Sequence, residues 1–293
     1  MPTTPWLALV AISPLIACLL YPIQVNEKTS QPRISRAAEF QENEAAAHLI
    51  GDWPDIRLDP SQSKAYHPFE GIRFRVTVDV EGNVVEVVPE DSEDRTWESG
   101  VVDQGRKIIR ELKFRPFIRR GRQVPARFAF YMPVFPPEER PLQHTVFPDL
   151  IDRNSLVITL DRGGCYGTCP IYKIDIHGDG TVDYEGKCFV AVRGRRAAKI
   201  STQAVDGLFE LFKSSDYFSL REEYESPATD LPTFITSISF DGHVKSVTDY
   251  YGVEMGMPDS VKRIERSIDK ATDSALWISK HGTWKPSKRK PCV

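Results

Sequence analysis

From Ile72 to Val78 the apolar residues Ile72, Phe74, Val76 and Val78 alternate with Arg73, Arg75 and Thr77. A side-chain period of two leaves the chain one solution, an extended strand with one face buried and the other wet. The same period returns over Leu156–Leu160, Tyr172–Ile176, Val182–Val192 and Phe234–Phe240. Short polar turns separate these runs: Glu81-Gly82-Asn83, Gly178-Asp179-Gly180 and Asp241-Gly242. Val84–Val88 and Val244–Tyr250 then read as returning strands of hairpins. Three stretches switch to a helical period. One is capped by Ser99 and carries Val101, Ile108 and Leu112, with Val102 and Ile109 beside them. The next starts at Ser201 with Val205, Leu208, Phe209 and Phe212. The last follows Pro258-Asp259-Ser260, with Val261, Ile264, Ile268, Ala271 and Ala275 inward. Strands in hairpin order with few helices predict an α+β chain: two small domains, each an antiparallel sheet packed with one or two helices, after an N-terminal hydrophobic segment.

That segment runs from Trp6 to Ile23 without a charge. Its length lies between a signal-peptide core and a membrane span, so residues 1–25 are expected to export the chain or anchor it in a membrane. Leu15-Ile16-Ala17-Cys18 resembles the lipobox of bacterial lipoproteins, which makes Cys18 a candidate for lipidation. Lys28, Arg33 and Arg36 follow the apolar run and by charge bias would favour a cytoplasmic side. Residues 26–50 are polar, end in the helix-prone Glu39-Phe40-Gln41-Glu42-Asn43-Glu44-Ala45-Ala46-Ala47-His48-Leu49-Ile50, and read as a tether with a short helix. A first domain is expected over 51–137, a proline-stiffened linker over 138–152, a second domain over 153–278 and a basic tail over 279–293.

A net charge of −3 argues against a nucleic-acid binder. Charge is nevertheless segregated. Residues 79–103 hold nine acids against one base, and residues 106–127 hold nine bases against one acid. Arg115, Arg119, Arg120 and Arg122 therefore form a basic surface for anionic lipid, glycan or acidic peptide, or one half of two faces that neutralise each other.

The sharpest local feature is Cys165 and Cys169, four residues apart among Gly163, Gly164 and Gly167. A structural disulfide, a pair of free thiols, and a redox or metal site are the readings, with the disulfide favoured because the glycines let the loop curl back. Thioredoxin-type chemistry uses a shorter spacing at a helix start, and zinc needs four ligands where no histidine stands beside Cys188. Cys188 has core parity and reads as a buried thiol; Cys292 pairs with it or stays free. No metal and no cofactor are expected. Arg162 shares the inward parity of Leu156, Ile158 and Leu160 and needs a carboxylate. Asp230, in the Thr-Asp-Leu-Pro turn, is the candidate partner. With Tyr172 these residues form either an anion site or a structural ion pair. No Ser/His/Asp order, phosphate-cradling loop or His-Glu-x-x-His helix occurs, so no catalytic residue is assigned and a binding role is expected.

Two resemblances extend this reading. GIRFRVTVDVEGNVVEVVPEDS, a helix, then LKFRPFIRRGRQVPARFAFYMPVF, over residues 68–135, resembles the C-terminal domain of TonB-type energy transducers. The resemblance implies a domain that lends a sheet edge to an extended peptide of an envelope protein. A 25-residue tether spans only roughly 30 Å as a coil, which suits binding rather than force transmission across the envelope. Residues 153–278 resemble an uncharacterised bacterial family with the signature Arg-x-x-Cys-aromatic-Gly-x-Cys-Pro-x-Tyr, here Arg162 to Tyr172. That resemblance implies no activity. The expectation is a non-enzymatic protein of the bacterial envelope or periplasm, attached through its N-terminal segment, that binds a peptide or protein by strand addition. The alternatives are a thiol/disulfide or anion-site protein centred on Cys165, Cys169, Arg162 and Asp230, and an architectural lipoprotein.

Overall fold

The computed structural model describes residues 37–90 and 97–279. The hydrophobic segment with Cys18 and the tail from Lys280 lie outside the described residues, so the expectations of export, anchoring and lipidation fall outside them too. The described chain begins with β1 (Ala38–Glu39), α1 (Glu42–His48), β2 (Leu49–Ile50) and β3 (Ile56–Arg57). The hairpin strands β4 (Gly71–Val78) and β5 (Val84–Pro89) follow, then α2 (Ser99–Glu111). Short β6 (Lys113–Phe114), β7 (Phe117–Arg119) and β8 (Arg122–Val124) lead into the long β9 (Ala126–Phe135).

β4 is the centre of the first sheet, antiparallel to β5 on one side and to β9 on the other. Its alternation sends Phe74 and Val76 to the side covered by α2, where both are fully buried with Phe128 and Phe130 from β9. Helix α2 buries Val101, Gly105 and Ile109, a stripe at i, i+4 and i+8. Gly105 is required there, because an added Cβ would lie 2.7 Å from the Phe74 ring. The hairpin turn is set by Asp79, whose Oδ1 accepts from the amides of Glu81 (3.0 Å) and Asn83 (2.8 Å).

Residues 38–50 are not the tether expected from their composition. β1 and β3 add in parallel to the outer side of β9, and α1 lies beside that strand with Ala45 fully buried and Leu49 nearly so. Two small apolar residues suffice here, because β9 supplies a free edge for their backbone.

In the second half β10 (Val157–Arg162), β11 (Ile171–His177), β12 (Thr181–Cys188) and β13 (Gly194–Lys199) precede α3 (Thr202–Ser214). Then come β14 (Glu223–Glu225), β15 (Phe234–Phe240), β16 (His243–Tyr250), α4 (Asp259–Thr272) and α5 (Ala275–Ile278). They form one seven-stranded sheet in the order β13-β12-β11-β10-β15-β16-β14, antiparallel except for the β14–β16 pair. The side chains of α3 and α4 fill one face together with Tyr172, Tyr184, Phe212 and Phe240. The other face is a polar ladder: Thr159 and Lys173 bond Asp175 (2.6 and 2.8 Å), and His177 meets Asp183 (2.9 Å). Ser201 caps α3 as its position predicts, accepting from the Ala204 amide at 3.1 Å. The last helix departs from its expected run. It stops at Asp273, whose φ of 49° is left-handed, so Ala275 is exposed rather than inward.

The linker is docked rather than free. Phe147 packs edge-on against Phe209 and Phe218, and the Glu139 amide donates to Gly256 O at 2.7 Å. The two halves meet at Arg57, whose guanidinium donates to Val253 O (3.1 Å), Met257 O (3.3 Å) and Asp259 Oδ1 (2.6 Å). Beside it the buried Glu254 accepts from the Tyr66 hydroxyl, and Phe69 stacks on Tyr251 at 6.4 Å.

Gly82 and Gly242 test how much the turns contribute. Both have positive φ, but a Cβ on Gly82 would lie 1.9 Å from Phe114 O whereas one on Gly242 meets nothing. Chemical denaturation should show Gly82→Ala destabilised by about 2–4 kcal/mol and Gly242→Ala by about 1 kcal/mol.

Candidate functional site

The strands β10, β15 and β16 end together under α4, and the chain's charged interior is there. Arg162 closes β10 and points inward, as its parity predicts. Its Nη2 donates to Asp269 Oδ2 at 2.5 Å, and the Tyr172 hydroxyl donates to Asp269 Oδ1 at 2.7 Å. Ser274 completes the set with a 2.7 Å bond to the same oxygen. Asp230 is not the partner of Arg162. It sits exposed in the neighbouring loop at φ 71°, and its carbonyl, not its carboxylate, accepts from the Tyr166 amide at 3.0 Å. Asp230 lies exposed in the loop beside the disulfide. Asp269 is delivered by the buried side of α4.

One and two turns before Asp269, α4 presents Glu265 and Lys262. The Lys262 ammonium pairs with Asp249, whose side chain is completely buried, and lies 3.3 Å from Glu265 Oε2. Asp249 also accepts from the Gly252 amide at 2.6 Å. Phe234 contacts both cations, with Arg162 Cζ 4.4 Å and Lys262 Nζ 4.7 Å from its ring centre. Burial pushes the Glu265 carboxyl up to about 7, against the opposing pull of Lys262. Burial likewise pushes the Tyr172 phenol upward, so it stays a hydrogen-bond donor. Glu265 Oε1 and Arg162 Nε are both buried without a hydrogen-bond partner. Paired in this way, Arg162 ties α4 to the sheet.

Cys165 and Cys169 are disulfide-bonded, with Cα atoms 5.7 Å apart. Their loop lies against the 229–233 segment, where the Gly163 amide donates to Thr233 O at 2.7 Å, and Tyr166 at its tip is 87% exposed. Cys188 is buried but is disulfide-bonded, not the free thiol its core parity suggested. Among the described residues no group of histidine, cysteine and acidic side chains is arranged to hold a metal ion.

The basic surface divides in two. Arg115 donates to Ala47 O at the end of α1 (2.7 Å), and Arg119 donates to Glu39 O (2.8 Å) with its Cζ 4.9 Å from the Phe40 ring. These two fasten residues 39–47 to the sheet. Arg120 and Arg122 stand exposed on the β7–β8 hairpin without an ion pair among the described residues.

The sheet edges differ as well. The outer edge of β9 is taken by the chain itself. Ala38 and Phe40 donate to Pro125 O and Arg127 O, Leu58 donates to Phe135 O, and Glu42 and Trp53 side chains satisfy the Tyr131 amide (2.6 Å) and carbonyl (2.9 Å). The outer edge of β5 has no strand partner among the described residues, and Val85 and Val88 are 39% and 46% exposed along it.

Residues 156–272 match the family model described as a domain of unknown function, DUF6438. The match runs from the residue before β10 to the end of α4 and so contains the disulfide loop and the whole Arg162–Asp269–Glu265 cluster. No curated protein matches the chain. Lys262, Glu265 and Asp269 carry no sequence signal of their role, because charges flanking an apolar helical stripe ordinarily mark its solvent border, and Asp249 on β16 reads as one polar residue of a strand.

Asp269→Asn should cost about 2–4 kcal/mol in urea unfolding, since it leaves a half-buried arginine short of its charge partner. Asp230→Asn should stay within about 0.5 kcal/mol. Glu265 binds its proton more tightly folded than unfolded, so its contribution is complete below about 4.5 and is lost as pH rises through about 7. Glu265→Gln should therefore match the parent near the lower value. It should exceed the parent by roughly 1–3 kcal/mol at about pH 8, read from unfolding curves across that range.

Proposed function

We propose that the protein is a non-enzymatic component of the bacterial cell envelope that captures an extended peptide by adding it to β5. The observation that carries this reading is the outer edge of β5, six residues long and without a strand partner among the described residues, while the opposite side of the sheet, at β9, is already filled by residues 38–58. An added strand gains main-chain hydrogen bonds along that edge, while Val85 and Val88 supply apolar contacts for side chains on either face. Glu86 and Glu90 already pair with Arg127 and Arg75, so Glu81 at the turn is the nearby acid without an ion pair among the described residues, and it suits a basic residue at one end of a largely apolar peptide. The resemblance of residues 68–135 to TonB-type C-terminal domains supports the same mode of binding. The uncharged run from Trp6 to Ile23 supports export or membrane attachment, with Cys18 as the acyl acceptor where a lipid is added. The second half then serves as a rigid platform, its disulfide loop and charge cluster structural.

Peptide display against the full chain should select extended basic-apolar sequences that slow hydrogen exchange at residues 84–89. The Val85→Lys/Val88→Lys variant should bind them roughly tenfold more weakly while keeping its fold. Peptides that bind yet protect amides elsewhere would remove β5 as the site. A C-terminal reporter active only outside the cytoplasm should be active, and a silent reporter would refute the envelope location.

A further inference from the structure

Where the two halves and the linker meet, the fold leaves a cleft of about 460 Å³. Its apolar walls come from all three parts: Leu58, Pro60 and Pro137 from the first half, Pro141 from the linker, Leu220 and Pro258 from the second. That volume and mixed lining fall in the range of small-molecule sites. The charged residues around it are unequally committed. Glu138 accepts from the Asp259 amide at 3.0 Å, Glu139 pairs with Arg221 at 2.7 Å, and Asp216 accepts from Ser219 Oγ at 2.7 Å and meets His144 at 3.0 Å. Arg140 and Arg263 also line the cleft, and neither has an ion pair or hydrogen bond among the described residues. Arg57 lines it as well, and its Nε–H is buried without an acceptor although its other nitrogens are used. The acids are thus satisfied within the fold, and the cleft retains two free guanidinium groups and one orphaned donor.

We infer that this cleft binds a small organic anion, a carboxylate or phosphate group carried on a compact apolar body. Planar guanidinium groups pair with either oxyanion in a bidentate manner. The prolines and leucines would cover the body of the ligand and exclude water from the charged end. A bound anion would contact both halves and the linker at once, so its occupancy would also brace their relative position. This site is separate from β5 and does not depend on peptide capture.

Isothermal titration of the full chain with phenyl phosphate, benzoate and inorganic phosphate tests the inference. At least one of the two aromatic anions should bind saturably at a single site, and the tighter of the two identifies the charged group as phosphate or carboxylate. Inorganic phosphate should bind at least about tenfold more weakly, since it has no apolar body. Arg140→Ala/Arg263→Ala should weaken binding by about tenfold or more, whereas Arg120→Ala/Arg122→Ala, which removes two exposed arginines remote from any cleft residue in sequence, should leave it unchanged. Absence of saturable binding by either aromatic anion, or an equal loss in both double variants, would overturn the site. Equal affinity for inorganic and phenyl phosphate would overturn the role given to the apolar walls.

Discussion

Each sheet has one apolar face, and neither face can be left in water. In the first half a cluster of phenylalanines, Phe74, Phe114, Phe117, Phe128 and Phe130, is buried between the β4–β9 pair and the elements packed on it. Burying one such side chain stabilises by about 1.5–3 kcal/mol, so the cover is as necessary as the sheet. In the second half the same requirement is met by α3 and α4, with Phe147 of the linker completing the core. The positions of the charge cluster, the disulfide loop and the cleft all follow from how these covers are laid down.

Because α4 is a cover, its flanks cannot all reach solvent. Lys262, Glu265 and Asp269 lie beside the apolar stripe of Val261, Ile264 and Ile268, and the sheet end beneath them answers with Asp249 and Arg162. Taking these charges out of water is costly, and it is offset by close pairing and by the hydroxyls of Tyr172 and Ser274. Glu265, the member with an unpartnered oxygen, is the one whose carboxyl shifts toward neutrality. The arrangement ties α4 to β10 through Asp269 and to β16 through Lys262.

The edges show a second economy. β9 would offer a long unpaired edge, and the chain covers it with its own residues 38–58, held by Arg115 and Arg119. Two of the arginines that sequence reading grouped as an external basic surface are thus internal fasteners. Among the described residues, the edge left without a strand partner in this sheet is that of β5.

The strands, hairpins and helix starts were legible in the sequence, and so was the inward direction of Arg162. Successive side chains on a strand point to opposite faces, so parity alone decides burial, and Ser201 announces α3 by the bond it makes three residues on. The nearness of Cys165 to Cys169 was legible for the same local reason. The partner of Arg162 was not: Asp269 lies 107 residues further along the chain, on a helix face whose contacts exist only after packing. Nor was the docking of residues 38–50, where few apolar residues signal burial and the stabilising bonds run to a strand nearly ninety residues away. Local periodicity determined which faces this chain must hide, while the meeting of distant segments decided which charges are paired, which edge stays open and where the cleft lies.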